Sequence, residues 1–370
     1  MSRTTPANLV NFGNMRNPFK SLLIVLLPLQ LICKAWLANH PDWVERWYSL
    51  KVYPAISQFF RRAYGPIPFS VGDLLYLVLL SIALIYVFRY SRNLKTHFWD
   101  IVGNVLALFS VLHLTFYLLW GLNYFRLPLG KSLGLEEKFS TSELVAYTQN
   151  LVETSNTIQL KLTGDSINPV LTPYTYDEIF LKTLESYQLL AQKDNRYSYI
   201  NPSIKPSLIS QGLSFMGYGG YLNPFTGEAQ VNALIPTFRL PVVSAHEIGH
   251  QLGYSAENET NFIGFLATRE NPDPYFQYSA ATFALNYCLS ELHRRDSLAV
   301  KRISSQLNPG VKANFSEVYA FWRKYENPAE PIFKAMFNRY LEANRQKDGI
   351  GSYNRIVALL IAQHRMEKQP

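Results

Sequence analysis

Residues Val242–Phe262 read VVSAHEIGHQLGYSAENETNF, and His246, Glu247 and His250 form the pattern H-E-x-x-H. On a helix, positions i and i+4 share a face, at a separation that lets two imidazoles donate nitrogen to one Zn²⁺. Glu247 follows the first histidine, where a carboxylate can take a proton from water at the metal. A solvated surface helix can carry the same letters, so the flanking residues decide. Pro241 and the small or apolar residues after it suit a partly buried helix. Gly253, three residues beyond His250, is a helix stop that turns the chain back toward the metal.

A third ligand must come from the residues beyond Gly253. Ser255 can cap a second helix starting near Ala256, which puts Glu257 and Glu259 in its first turn. Two residues apart, they diverge by about 200° and cannot both face the metal. Glu257 shares a face with Asn261, Gly264 and Thr268, small and polar; Glu259 shares one with Phe262, Ile263 and Leu266. A helix packed closely over a polar cleft uses the small face. That favours Glu257 as ligand, with Asn261 one turn later orienting His246. The other assignment stays open, with Glu259 as ligand and Glu257 a carboxylate favoured by the helix dipole.

The elements that must position these residues begin with three apolar runs, about 21–38, 71–88 and 101–122. Each is long enough to cross a bilayer as a helix, and Trp and Tyr cluster at their ends. Arg16 and Lys20 ahead of the first run would also suit a cleaved signal peptide, but no A-x-A site comes cleanly after it. Charged residues make up 17% against 48% hydrophobic, a balance that excludes disorder and fits burial in core and bilayer. The net charge of +8 contains no Lys/Arg-rich patch, so no nucleic-acid partner is expected. Arg3, Arg16 and Lys20 before the first run, and Arg89, Arg92 and Lys95 after the second, belong on the cytoplasmic side. Arg46, Lys51, Arg61 and Arg62 in the first loop oppose that orientation. An odd number of spans then places the remainder outside the cytoplasm. Of the two cysteines, Cys33 lies in the first run, which argues against a disulfide with Cys288.

The expected organisation is a membrane domain over 1–122, a linker over 123–139 and an extracytoplasmic domain over 140–370. That domain reads as mainly α with a small β-sheet. Ser140 and Glu143 form a capping-box pattern, and helix patterns recur near 177–193, 279–294, 315–324, 331–345 and 353–365. Ala229–Ile235 alternates with period two and reads as a strand.

The stretch HEIGHQLGYSAENETNF, preceded by GEAQVNALIP and by spans ending YLLWGLNYFRLPL, resembles an uncharacterised bacterial family of membrane-anchored proteins. That family, classed as a domain of unknown function, is similar to the gluzincin metallopeptidases. The resemblance implies a zincin-like fold, a Zn²⁺ cofactor and hydrolysis of peptide bonds, endopeptidase activity with Glu247 as general base. Gluzincins with a Glu-x-x-Ala-Asp/Asn signature use its first Glu as ligand, a pattern that falls on Glu257 with Thr260 and Asn261 at its end. Six residues separate His250 from Glu257, a shorter spacing than in many gluzincins. The resemblance also implies that the strand upstream, Ala229, Gln230, Val231, Asn232 and Ala233, is an edge that pairs with an extended substrate. An oxyanion donor is needed as well. Tyr218, Arg239, Tyr254 and Tyr278 are candidates, and Tyr278 is preferred for its place just downstream. The expected partners are a peptide or protein substrate and the lipid bilayer of the cell membrane. The competing reading is a catalytically idle membrane protein that keeps this fold for binding or scaffolding; the intact Glu247 argues against it.

Overall fold

A computed structural model describes residues 18–91, 94–346 and 355–368. Arg3, Arg16 and Arg92, three of the orienting charges, and the start of the helix expected over 353–365 lie outside them. Three helices are long and apolar enough to cross a membrane: α1 (Pro18–Ala38), α4 (Val71–Ser91) and α5 (Leu94–Leu119). Their large apolar side chains point outward: Val25, Leu84, Ile85 and Val87 are each more than 60% exposed. That is the surface of a helix that faces lipid. Between α1 and α5, Gln30 donates to Ser110 Oγ (2.9 Å) and meets His113 Nδ1 (2.9 Å), which ties the two helices together, while His113 Nε2 is buried without a partner.

The first loop is not a loop. It folds as α2 (Pro41–Trp43), a π-helical stretch Val44–Val52 and α3 (Tyr53–Tyr64). Val44, Tyr48, Tyr53, Ser57 and Arg61 are buried along one side. The step from Tyr48 to Tyr53 is five residues, one more than an α-helix allows, and the π stretch absorbs it. Arg61, expected as a loop charge, is buried, donates to Ile200 O and stacks over Tyr199 at 4.7 Å.

Residues 123–139, expected as a linker, are packed rather than free. Gly121–Phe125 forms a 3₁₀ turn and α6 (Leu129–Ser132) comes next; Asn123, Tyr124, Phe125 and Leu129 are buried. The domain beyond is helical. In α7 (Thr141–Thr163), Ser140 Oγ accepts from Glu143 N (3.2 Å), and Ser140 N donates to Glu143 Oε2 (2.8 Å). Thr175 and Glu178 cap α8 (Tyr176–Lys193) in the same way. The remaining elements are β1 (Ile204–Pro206), α9 (Ser210–Met216), β2 (Gly220–Leu222), β3 (Ala229–Val231), α10 (Leu240–Gln251) and α11 (Glu257–Glu270). They continue with α12 (Pro274–Arg295), α13 (Ser297–Ser305), α14 (Pro309–Lys324), α15 (Glu330–Ala343) and α16 (Ile356–Glu367). The main core lies where α8, α11 and α12 pack on α10, with α7 behind α12 and α16 against α11 and α12, around Val242, Ile248, Phe262, Ile263 and Leu360.

The sheet overturns one expectation. Its order is β1-β3-β2, with β1 parallel and β2 antiparallel to β3. Ala229, Gln230 and Val231 are therefore central, with main-chain groups paired on both sides, and cannot receive a substrate. Asn232 and Ala233 have left the strand: Asn232 Nδ2 donates to Tyr218 O (3.0 Å), and Ala233 N donates to Ser210 Oγ (3.0 Å). β2 is the edge. Alternation could identify a strand here but not its neighbours.

The domain meets the ends of all three apolar helices. Ala38 packs with Tyr48, Trp120 and Phe125. At the start of α4, Glu228 accepts from Gly72 N (2.6 Å) and Val71 N (3.2 Å), two of the orphan amides of a helix N-terminus. Lys205 Nζ balances that carboxylate at 2.5 Å. Asp73 is also buried and accepts from Ser207 Oγ, Leu208 N and Tyr221 OH at 2.5–3.0 Å.

Candidate metal centre

α10 begins with Pro241 in its first turn, where a missing N–H costs nothing, and ends against Gly253, whose φ is +87°. α11 crosses it closely. A Cβ on Gly264 would come within 3.0 Å of His246 N, and one on Gly249 within 2.8 Å of the Thr260 methyl. The crossing thus uses the small face of α11, which carries Asn261 and Thr268, and Glu257 comes with it.

His246 Nε2 lies 3.4 Å and His250 Nε2 3.8 Å from Glu257 Oε2. One ligand atom each from His246, Glu247 and His250 also lies within 4.8 Å of the others. Glu259 points elsewhere: its Oε1 accepts from Leu129 N (2.7 Å), and burial raises its carboxyl to about 7. The His250 tautomer is fixed by Nδ1–H donating to Tyr254 O (2.7 Å), leaving a bare lone pair on Nε2. That lone pair faces a carboxylate oxygen, acceptor against acceptor, and a cation between them satisfies both. A tetrahedral ion with bonds of about 2.0–2.1 Å spaces its donors roughly 3.3–3.4 Å apart, close to these separations. The donor set therefore fits a divalent ion of the zinc type.

The protonation states agree with a buried, strongly coupled site. Burial pulls the His250 imidazole down to about 4. Burial pulls on His246 too, but Glu257 and Glu247 beside it hold that imidazole above its ordinary value. Burial pushes the Glu247 carboxyl up to about 8, with Glu257 adding to the rise against the pull of His246. Glu247 Oε2 and His246 Nδ1 are both buried without a hydrogen-bond partner. Asn261 adjoins the His246 ring, and its Nδ2 donates to Tyr287 OH (3.2 Å).

The site opens into a cleft of about 650 Å³ between the domain and the ends of α4 and α5. Gly220 of β2 forms its wall beside Glu247: any Cβ there would lie 2.6 Å from Glu247 Oε1. Tyr218, Arg239 and Tyr287 line the cleft, with Arg239 over the Phe283 ring at 5.2 Å. Tyr278 does not reach it. It is fully buried, its OH donates to Asn314 Oδ1 (2.8 Å), and its ring packs against Phe238. Tyr254 contributes its carbonyl, not its hydroxyl. Tyr287 carries no signal beyond its position about two and a half turns along the helix that Tyr278 also occupies, on the opposite side of it.

The support beneath α10 comes from the membrane side. Of its last carbonyls, Gln251 O accepts from Tyr53 OH (3.0 Å) and Ser57 Oγ (2.8 Å), and His250 O, which also takes Gly253 N (3.0 Å), accepts from Trp120 Nε1 (3.2 Å). Arg126 forks onto Glu45 at 2.7 and 2.8 Å, donates to Gly253 O (2.9 Å) and stacks over Tyr254 at 4.2 Å. It clamps the turn whose carbonyl fixes His250.

A family model described as a protein of unknown function, DUF3810, matches residues 48–361, and the chain belongs to that family. The matched stretch takes in Tyr53, Ser57 and Trp120 as well as the HEIGH helix, so the support and the site are parts of one family unit. No curated protein and no solved structure matches the chain.

Proposed function

For this member of the DUF3810 family, we propose a membrane-bound, zinc-dependent endopeptidase. The observation that carries the reading is the approach of His246 and His250 to Glu257 at 3.4 and 3.8 Å, with Glu247 alongside and a strand edge on the cleft wall. His246, His250 and Glu257 would hold the ion, and Asn261 would steady the His246 ring from behind. Zinc held there supplies a Lewis acid for a peptide carbonyl and for water.

The rest is done by side chains of this chain. Glu247 takes one proton from the attacking water as its oxygen bonds to the carbonyl carbon. It returns that proton to the amide nitrogen as the C–N bond breaks; the second proton of the water then passes from the new carboxyl group to the amine, giving a carboxylate and an ammonium. Its carboxyl, raised by burial, is drawn back toward the ionised form by any cation between the two imidazoles. Gly220 leaves room for this carboxylate, and the β2 edge aligns an extended substrate by main-chain pairing. Tyr287 replaces Tyr278 as oxyanion donor: its oxygen accepts from Asn261, so its own proton is free to donate, and burial holds it near 12, protonated at neutral pH. The arrangement of α1, α4 and α5, whose near ends all meet the domain, supports an odd number of crossings, and Lys20, Arg89 and Lys95 at their far ends favour a domain outside the cytoplasm.

Metal analysis of the purified full-length chain tests the first half, with about one zinc per chain expected and loss of it in His246→Ala or His250→Ala. A chain that takes up no stoichiometric zinc ends the reading. Glu247→Gln tests the second half: it keeps the metal and loses peptide hydrolysis.

A further inference from the structure

We propose that the cleft receives a polypeptide segment that is itself anchored in the bilayer, the stretch just outside a membrane span, with bulky apolar side chains beside the bond to be cut. This rests on the hydrolytic reading above and names its substrate class. Depth decides the class. α4 has 21 residues, Val71–Ser91, or about 31 Å at 1.5 Å per residue, against roughly 30 Å of hydrocarbon. No length is spare, so Val71 sits at the hydrocarbon edge. Tyr76, about 7–8 Å further along that helix, nevertheless lines the cleft, as does Phe116 one turn before α5 ends. The floor of the cleft thus lies at or below the level of the lipid headgroups, where a chain tethered in the membrane is already present.

The flank agrees. α15 turns Phe337 and Tyr340 into the cleft, while Ile332 and Met336, one turn apart on its outer side, are 61% and 64% exposed. An exposed apolar pair with the exposed cations Lys334 and Arg339 on the same helix, beside an apolar cleft, is the form of an element resting on lipid headgroups. The opposite wall selects polypeptide over a lipid tail. Asn232 N donates to Gly219 O and Asn223 N to Glu228 O, both at 2.9 Å. In an antiparallel ladder the residues between such pairs face the other way, so Gly220 and Leu222 turn their N–H and C=O away from β3. A row of outward amides and carbonyls serves an extended chain and is of no use to an acyl tail.

The test uses full-length Glu247→Gln, which binds without cutting, in nanodiscs of phosphatidylethanolamine and phosphatidylglycerol. Three probes carry the same Phe/Leu-rich segment with one diazirine side chain: directly after a single span, about 40 residues after that span, and as a soluble peptide. The second probe shares the local concentration of the first but not its depth. The expected result is crosslinking of the first probe about tenfold above the other two, mapped to Tyr76, Phe116 or Phe337. Equal yields from the first and second probes overturn the proposal. So does a diazirine phospholipid that labels these residues where no polypeptide probe does. Hydrolysis is read separately with the wild-type chain. Cleavage of all three probes at one rate overturns this proposal and keeps the peptidase, whereas selective crosslinking without cleavage of any probe overturns the peptidase.

Discussion

The crossing of α10 and α11 and the packed layer beneath it, residues 41–66 with 120–139, divide the labour of this molecule. The crossing holds the chemistry: His246, Glu247, His250 and Glu257 occupy two helices with glycines at the contact. The layer beneath brings no candidate ligand to the site, yet Tyr53, Ser57, Trp120 and Arg126 take up the carbonyls at the end of α10 and in its turn. One region would act on a substrate and the other fixes where that region can be. The segments that flank the apolar helices are thus structural parts of the domain.

The largest test separates the two regions. A fragment of residues 123–370 lacks Tyr53, Ser57 and Trp120 and exposes the surface they cover. It should bind no stoichiometric zinc and lose much of its helical circular dichroism; a soluble, helical, zinc-binding fragment would reverse the comparison. Next is Glu257→Gln, expected to weaken zinc by more than about 100-fold, beyond the loss of a merely supporting group. Glu259→Gln should change it little, because that carboxyl is spent on Leu129 N. Equal losses in the two variants, by metal competition, would show that the distinction between them is false.

Arg126→Ala comes third. Arg126 and Glu45 are 8% and 15% exposed in their side chains, and breaking a buried pair from one side costs about 3–5 kcal/mol. Denaturation in detergent should show that loss, and Glu45→Met with Arg126→Met should recover much of it. The smallest effect lies far from both regions. Ser140→Ala should cost about 1 kcal/mol. The Ser140 amide, Arg365 and the Ser140 hydroxyl hold the Glu143 carboxyl down, from 4.5 to about 2. Its contribution is therefore complete above 4.5 and fades as pH falls toward 2, which an acid titration of stability in the wild type and Glu143→Gln would resolve.

What could be read from the sequence was whatever repeats locally. The H-E-x-x-H spacing, the stop at Gly253, the small face of α11, the Ser140 cap and the apolar helices all lie within a few turns of themselves. The layer beneath α10 was hidden because its bonds end on backbone carbonyls, and a carbonyl has no letter. Residues 41–64 hid for a second reason: the buried positions 44, 48, 53, 57 and 61 break the helical period at the π stretch. Strand order escaped because three-residue strands alternate alike whether central or at an edge. Chain position alone singles out Tyr278 and passes over Tyr287, and only the turn of α12 separates a core hydroxyl from one in the cleft.

The clamp on α10 also has a direction in time. Synthesis runs from the amino end, so Tyr53, Ser57, Trp120 and Arg126 leave the ribosome more than a hundred residues before His246. The residues that seat the HEIGH helix are therefore synthesised while that helix is still unmade, and the order of the letters along the chain lets the seat form first.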